Sequence, residues 1–187
     1  KIETHTRKKM AGDTIAIADE KNSNPAITNL LWREPWRHGN TYMNNNHCLR
    51  RIRYILDLSD SKMIDIFAQA NQTVTRAEVS AWLKKDDDPD FVECPDTMFA
   101  TFLNGLIHDK RGKKDGAQAE PEQRLNNNII LVKLKIAFNL QADDILSILA
   151  LADFRMSKHE LSAFFRRPDH KHYRKCQDQI LRNFLKG

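Results

Sequence analysis

The chain has 187 residues, of which 41% are hydrophobic and 29% are charged, and its formal net charge is +5. That composition is ordinary for one globular domain or two small ones. No apolar run is long enough to cross a bilayer, no secretory signal core is found near the first residues, and the three cysteines stand at unrelated spacings. We therefore expect no membrane partner and no disulfide framework, and we predict a reduced, cytoplasmic location.

The first 42 residues have no convincing hydrophobic period. Met43 stands directly before the asparagine triplet that opens the periodic part of the chain, at the point where a shorter protein would start. We predict that residues 1–42 are a leader or a non-native extension and are poorly structured.

The rest of the chain contains an internal duplication. Residues 44–105 align without a gap with residues 126–187, and both copies begin with three asparagines, as NNNHCLRRIRYIL and NNNIILVKLKIAF. Identical pairs recur along the whole alignment, among them Leu49/Leu131, Glu78/Glu160, Cys94/Cys176, Asp96/Asp178 and Gly105/Gly187. A gapless match of this length indicates two copies of one structural unit. We therefore predict repeat 1 over 43–107 and repeat 2 over 126–187. The polar, glycine-bearing segment 108–125 is predicted to be an exposed linker.

Four helices are predicted in each repeat. In repeat 1 the first covers about 46–56, where Leu49, Ile52 and Leu56 share one face, and the second covers about 60–70. Asparagine is a good N-cap because its side-chain oxygen accepts from free backbone N–H groups, so the triplet is most simply a helix start. The third helix follows a capping box, Thr75-x-x-Glu78, and the fourth begins near Pro95.

The same four signals recur in repeat 2, including the capping box Ser157-x-x-Glu160. Each unit has only about 60 residues, too few to bury a large core alone. We therefore predict an all-α fold in which two tandem four-helix repeats pack as a pseudo-two-fold helical bundle.

Several stretches also carry a family resemblance: RIRYILDL, EVSAWLKKDDDPDF, CPDTMFATFLNGLI, KRGKKDG, NNNIILVKLKIAF and PDHKHYRKCQDQILRNFL. Together they resemble the uncharacterised bacterial YehS-like family, whose members carry one domain of unknown function twice. The resemblance covers roughly 43–187, and the first 42 residues depart from it. It implies a small, all-helical, cytoplasmic bacterial protein, and it brings no established activity and no catalytic residues.

The two repeats differ in charge. Residues 44–105 contain seven basic and ten acidic residues, or −3, whereas residues 126–187 contain eleven and six, or +5. The second and third helices also resemble a helix-turn-helix, in which a capped helix presents a basic face to DNA. The turn is one residue longer than usual and lacks its glycine.

These features lead to one leading hypothesis, a non-enzymatic nucleic-acid-binding or regulatory protein that contacts the phosphates of DNA or RNA. The candidate contacts are basic residues of both first helices and of the third helix and following loop of repeat 2: Arg51, Arg53, Lys133, Lys135, Lys158, Arg166, Arg167, His170, Lys171, His172, Arg174 and Lys175. A solvated helix face explains the same charges without a ligand. The competing class is a protein-interaction or self-assembly module, in which acidic repeat 1 of one chain meets basic repeat 2 of another.

Other chemistries have weaker support. DDDPDF places three carboxylates as in an EF-hand, but Phe91 stands where the loop needs glycine, so an acidic helix–helix turn is favoured. His170, His172 and Cys176 are zinc-binding residue types without an evident fourth ligand. Cys94 and Cys176, at the entry to the fourth helices, are more simply buried small apolar residues than reactive thiolates. Trp82 and Phe164 are predicted to be core residues. No motif of an enzyme, metal site or cofactor is found, and we predict none of these.

Overall fold

The computed structural model describes residues 43–113, 116 and 118–187, so the predicted leader lies outside the described residues. Eight helices and no strand occur in this part of the chain. Repeat 1 contains α1 (Asn45–Ile55), α2 (Asp60–Gln69), α3 (Arg76–Leu83) and α4 (Asp96–Arg111). Repeat 2 contains α5 (Asn127–Ala137), α6 (Ala142–Leu151), α7 (Lys158–Ala163) and α8 (Asp178–Phe184). The predicted all-α fold with four helices in each repeat is confirmed.

Local capping signals set where most of the helices begin. The side chain of Asn44 accepts from the backbone N–H of His47 at 2.8 Å, and Asn126 caps α5 in the same way. Both predicted capping boxes form, at Thr75 in repeat 1 and at Ser157 in repeat 2. The first helices begin where the sequence predicts, because an N-cap contact spans only three residues.

The third asparagine of each triplet is not a cap but a buried cross-link. The Asn46 amide donates to the carbonyls of Trp82 and Val92 at 2.9 and 2.8 Å, and its oxygen accepts from the Cys94 N–H at 2.9 Å. Asn128 makes the three equivalent bonds in repeat 2, to Phe164, Arg174 and Cys176. The segment that follows the third helix is therefore fixed to the first helix in both repeats.

The two repeats are also joined by a pair of equivalent hydrogen-bond contacts, which we call the reciprocal clasp. Asp96 accepts from the Asn45 amide within its own repeat at 2.7 Å, and its other oxygen accepts from the backbone N–H of Leu125 at 2.9 Å. In repeat 2, Asp178 likewise binds Asn127 at 2.7 Å and the N–H of Met43 at 3.2 Å. Met43 and Leu125 are equivalent in the alignment, so the contacts between the repeats obey the predicted pseudo-two-fold relation.

A shared apolar core lies inside one compact unit, Thr41–Gly187. Helix α4 packs along α2 within its repeat and along α5 of the other repeat. Gly105 allows α4 to approach α2, because a Cβ added there would lie 1.8 Å from the carbonyl oxygen of Ile66. In repeat 2, a Cβ on Gly187 would lie 1.9 Å from the Ile148 oxygen. Both repeats thus have a glycine at the point where its backbone comes close to that of the second helix.

The repeats differ in the length of their later helices. Helix α4 has 16 residues and runs to Arg111, past the predicted end of repeat 1 at 107, whereas α8 has seven and α7 has six. Within the described ranges, no helix is long and apolar enough to span a membrane.

Candidate anion-binding surface of repeat 2

The segment after the third helix has the same backbone in both repeats but opposite charge. Residues 84–93, the acidic loop, contain two basic and five acidic residues, whereas residues 166–175, the basic loop, contain five and one. Both loops are closed by the same hydrogen bonds, from Phe91 N–H to Asp88 O at 3.0 Å and from Tyr173 N–H to His170 O at 2.8 Å. The duplicated fold therefore presents two versions of one loop with the same backbone hydrogen bonds.

Two cations at the acidic loop, Lys84 within it and Arg50 on the first helix, are paired with carboxylates of the loop. The Lys84 ammonium pairs with Asp88 and Asp90, and the hydrogen bond from Lys84 to Asp90 raises the pKa of Lys84. The Asp90 backbone N–H, helped by Lys84, lowers the pKa of the Asp88 carboxyl. The Arg50 guanidinium lies 3.0 Å from Asp86. These cations have counter-ions of their own and are poorly placed to bind an external anion.

The basic loop lacks these counter-ions, because His170 and His172 replace Asp88 and Asp90 and Pro168 replaces Asp86. Its five cations form no ion pair with any residue that the structure describes: Arg166, Arg167, Lys171, Arg174 and Lys175. All of them are exposed except Arg166, which is half-buried. The His172 backbone N–H donates to Nδ1 of His170 at 3.0 Å. This part of the predicted site is one surface with concentrated positive charge.

The third helix does not carry this surface. Helix α7 is only six residues long, about 9 Å, and Arg166 and Arg167 lie beyond its end. Lys158, at its start, is paired with Asp143 at 2.8 Å. Helices α6 and α7 do form a capped helix pair, but the cations belong to the loop that follows and not to a helix that could enter a DNA groove.

The predicted contacts on the first helices lie elsewhere. Lys133 is 7% exposed, and its ammonium binds Glu122 at 2.9 Å and the side chain of Asn104 in repeat 1. The equivalent Arg51 donates to the Leu185 carbonyl of repeat 2 at 2.7 Å. In the pseudo-two-fold arrangement, Arg51 and Lys133 both face the other repeat. Lys133 is therefore not part of the candidate surface, and Arg51 lies at the interface between the repeats. Arg53 pairs with Asp60 at 2.8 Å inside repeat 1.

Lys135 and Lys158 both line an open cleft of about 460 Å³, which lies between α5, the start of α6, and α7. We call it the repeat 2 cleft, and its lining residues are Val132, Lys135, Ile136, Ala142, Lys158, Leu161, Ser162 and Phe165. The Lys135 ammonium lies 5.9 Å from the centroid of the Phe165 ring. Phe165 is half-buried and directly precedes the basic loop. The sequence pattern did not predict this cleft.

The remaining candidates are structural. Trp82 and Phe164 are 5% and 6% exposed, which confirms that they are core residues. Cys94 and Cys176 are fully buried, as predicted for small apolar residues, and burial raises the pKa of each thiol to about 12. Cys176 is thus kept apart from the exposed His170 and His172. In the described part of the chain, no three His, Cys, Asp or Glu side chains are arranged to hold a metal ion.

The fold and this surface define a class: an all-helical protein made by internal duplication, in which one repeat is acidic and the other is basic. The chain belongs to the family described as "Protein of unknown function (DUF1456)", which matches residues 45–112 and 127–187. It is 49% identical over 146 residues to the uncharacterized protein YehS of Escherichia coli (strain K12), covering 78% of this chain and 94% of that protein. No solved structure matches the chain. The YehS-like resemblance is confirmed.

Proposed function

We propose that this protein is a cytoplasmic nucleic-acid-binding protein that contacts phosphate through the basic loop of repeat 2 and acts by binding rather than by catalysis. One observation carries the proposal: five cations without described ion-pair partners lie on a backbone whose other copy carries its own counter-ions. A protein gains little by gathering like charges on one loop, because they repel each other. A polyanion bound across the loop removes that repulsion.

The structure favours binding without sequence preference. Specific DNA readers place a helix or ribbon in a groove, where side chains reach the edges of the bases. Helix α7 is too short for this, and the cations lie in a loop, where they suit phosphate oxygens. If all five cations contact phosphates, the logarithm of affinity should fall with the logarithm of salt with a slope of about −3.5 for a single strand.

The test is fluorescence-polarisation binding of labelled duplex DNA and single-stranded RNA across a salt series. We expect micromolar binding that weakens steeply with salt and is lost in the double variant Arg166→Glu/Arg167→Glu. The matched control is Lys85→Glu/Lys113→Glu, which makes the same charge change at one exposed position of repeat 1 and one of the linker, and it should retain most of the affinity. Flat traces for both nucleic acids at low salt would refute the proposal.

A second candidate function is self-assembly, which the opposite charges of two loops with one backbone favour. The acidic loop of one chain would then meet the basic loop of another, in a head-to-tail contact. Sedimentation analysis separates the two functions. Under self-assembly, Arg166→Glu/Arg167→Glu should shift the protein toward monomer, whereas under nucleic-acid binding the wild type and the variant should sediment alike.

A further inference from the structure

The repeat 2 cleft occupies a position that repeat 1 fills with an ion-pair network. In repeat 1, the guanidinium of Arg53 lies 2.8 Å from Asp60, and that of Arg76 lies 3.6 Å from the same carboxylate. The equivalent residues in repeat 2 are Lys135, Ala142 and Lys158. Both cations are kept, and the carboxylate between them is replaced by a methyl group. An external anion can take the place of the missing carboxylate.

The same exchanges open the space that such a ligand needs. Arg50, whose guanidinium binds the Lys84 carbonyl and Asp86, is replaced by Val132, and Asp60 is replaced by Ala142. Both replacements line the cleft, whose volume of about 460 Å³ lies within the usual range for small-ligand sites. Two of the residues that line the cleft are therefore smaller than their equivalents in repeat 1.

The one competing anion at the cleft is weakly held. Lys158 pairs with Asp143 at 2.8 Å, but their side chains are 67% and 69% exposed. An ion pair this exposed to solvent is weak, so a phosphate that contacts both lysines can displace it. Lys135 forms no ion pair within the described residues. Both ammonium groups are available to one bound anion.

Apart from Ser162, the rest of the cleft is apolar, and this restricts the kind of ligand that fits it. Phe165, Leu161, Val132 and Ile136 form its walls, and Ile136 is 47% exposed. The position of Phe165 is held by Leu83 in repeat 1, so repeat 2 adds an aromatic ring beside the two lysines. A flat apolar group joined to a phosphate matches both parts, and a nucleotide has this chemistry.

We propose that the repeat 2 cleft binds one unstacked nucleotide of a single-stranded nucleic acid, with the base against Phe165 and the phosphate between Lys135 and Lys158. This inference rests on the proposed function and specifies its ligand as a single-stranded nucleic acid. Phe165 directly precedes Arg166, so the neighbouring phosphates of the strand extend onto the basic loop. A duplex keeps its bases stacked inside the helix, where the cleft cannot reach them. The protein therefore prefers single strands.

The test uses two variants in which a residue of the cleft is replaced by its equivalent in repeat 1. Ala142→Asp restores the carboxylate between the two cations, and Phe165→Leu restores the residue of repeat 1, so both substitutions suit the fold. Binding is measured with a labelled thymidine homopolymer and with a duplex of the same length. Base stacking on an aromatic side chain is worth about 1–3 kcal/mol, so we expect Phe165→Leu to weaken single-strand binding at least about 5-fold. Ala142→Asp should weaken it about 10-fold, and duplex binding should change less than about 2-fold in both variants.

The control is Ala77→Asp, which makes the same charge change at an exposed position in the first turn of α3 in repeat 1 and should leave both affinities unchanged. If both cleft variants bind the homopolymer as the wild type does, while Arg166→Glu/Arg167→Glu abolishes binding, the cleft inference is overturned and the basic-loop proposal stands. Equal weakening of single-strand and duplex binding also overturns it. If the wild type binds neither nucleic acid, both proposals fail.

Discussion

The thiols of Cys48, Cys94 and Cys176 are buried in the apolar core, and burial raises the pKa of each to about 12. Because the thiolate is the reactive form and an exposed cysteine has a pKa near 8.5, the thiolate fraction at neutral pH falls by about three orders of magnitude. We therefore expect the native protein to react with Ellman's reagent at least about 100-fold more slowly than the urea-unfolded protein. One thiol reacting at the unfolded rate would show that it is accessible.

The asparagine triplets show what a local sequence signal predicts and what it misses. Asn44 and Asn126 cap helices, as the sequence predicts, because capping joins residues three positions apart. Asn46 and Asn128 bind backbone groups that lie 36 to 48 residues away. No periodicity encodes contacts at that distance. Only the recurrence of three asparagines in both copies marked these positions.

At the scale of the helix, Gly105 determines how closely α4 approaches α2. We expect Gly105→Ala to lower the free energy of unfolding by about 2 kcal/mol, because the new Cβ would lie 1.8 Å from the Ile66 oxygen and the helices must move apart. Alanine has the higher helix propensity, by about 1 kcal/mol, but the clash outweighs it. Urea unfolding followed by circular dichroism measures the change. Lys110→Ala, on the exposed side of the same helix, should alter stability by less than about 0.5 kcal/mol. Equal stabilities of wild type and Gly105→Ala would contradict this packing.

Helix starts are predictable from this sequence, and so are the ends of α1 and α2, whereas the end of α4 is not. Helix α4 continues to Arg111 because its last turns make tertiary contacts: Lys62 pairs with Asp109 and lowers the pKa of that carboxyl, and the His108 ring lies 2.9 Å from the Gln69 carbonyl oxygen. Helix α7 ends at Ala163, whereas α3 continues two residues past the equivalent Ala81, although the same hydrogen bond from the following loop reaches both carbonyls. Contacts distant in sequence therefore account for the end of α4, but not for that of α7.

At the scale of the whole molecule, Lys133 joins the repeats. Lys133→Ala leaves Glu122 and Asn104 without their partner at the interface, and we expect it to lower the free energy of unfolding by about 2 kcal/mol. Lys135→Ala, two residues along the same helix but at the open cleft, should change it by less than about 0.5 kcal/mol. Urea titrations of the two variants give the comparison. Equal midpoints would contradict the assigned role of Lys133.

Segment charges identified repeat 2 as the basic half, and the size of each repeat predicted that the two pack together. They could not predict which cations face solvent. Arg51 and Lys133 have the same sequence pattern as Arg53 and Lys135, yet they lie at the contact between repeats. Helical periodicity shows that a polar residue lies opposite the apolar stripe of its helix. It does not show whether the other repeat covers that residue. The cleft was not predicted for a related reason. Ala142 is significant only because its equivalent in repeat 1, Asp60, has a carboxylate that Ala142 lacks.

The reciprocal clasp has a consequence for how this protein arose. Each repeat, together with the residue that directly precedes its asparagine triplet, carries both halves of the clasp: the aspartate and the N–H that the other copy's aspartate binds. Two copies of a one-repeat ancestor would close the same pair of contacts as a symmetric homodimer. Such a dimer must carry the same charge on both loops, because one gene encodes both. A single chain that contains both copies is free of that restriction: Asn46 and Asp96 have identical counterparts in Asn128 and Asp178, whereas one loop is acidic and the other basic. A duplicated chain can therefore carry different charges on its two loops, which a homodimer of single repeats cannot.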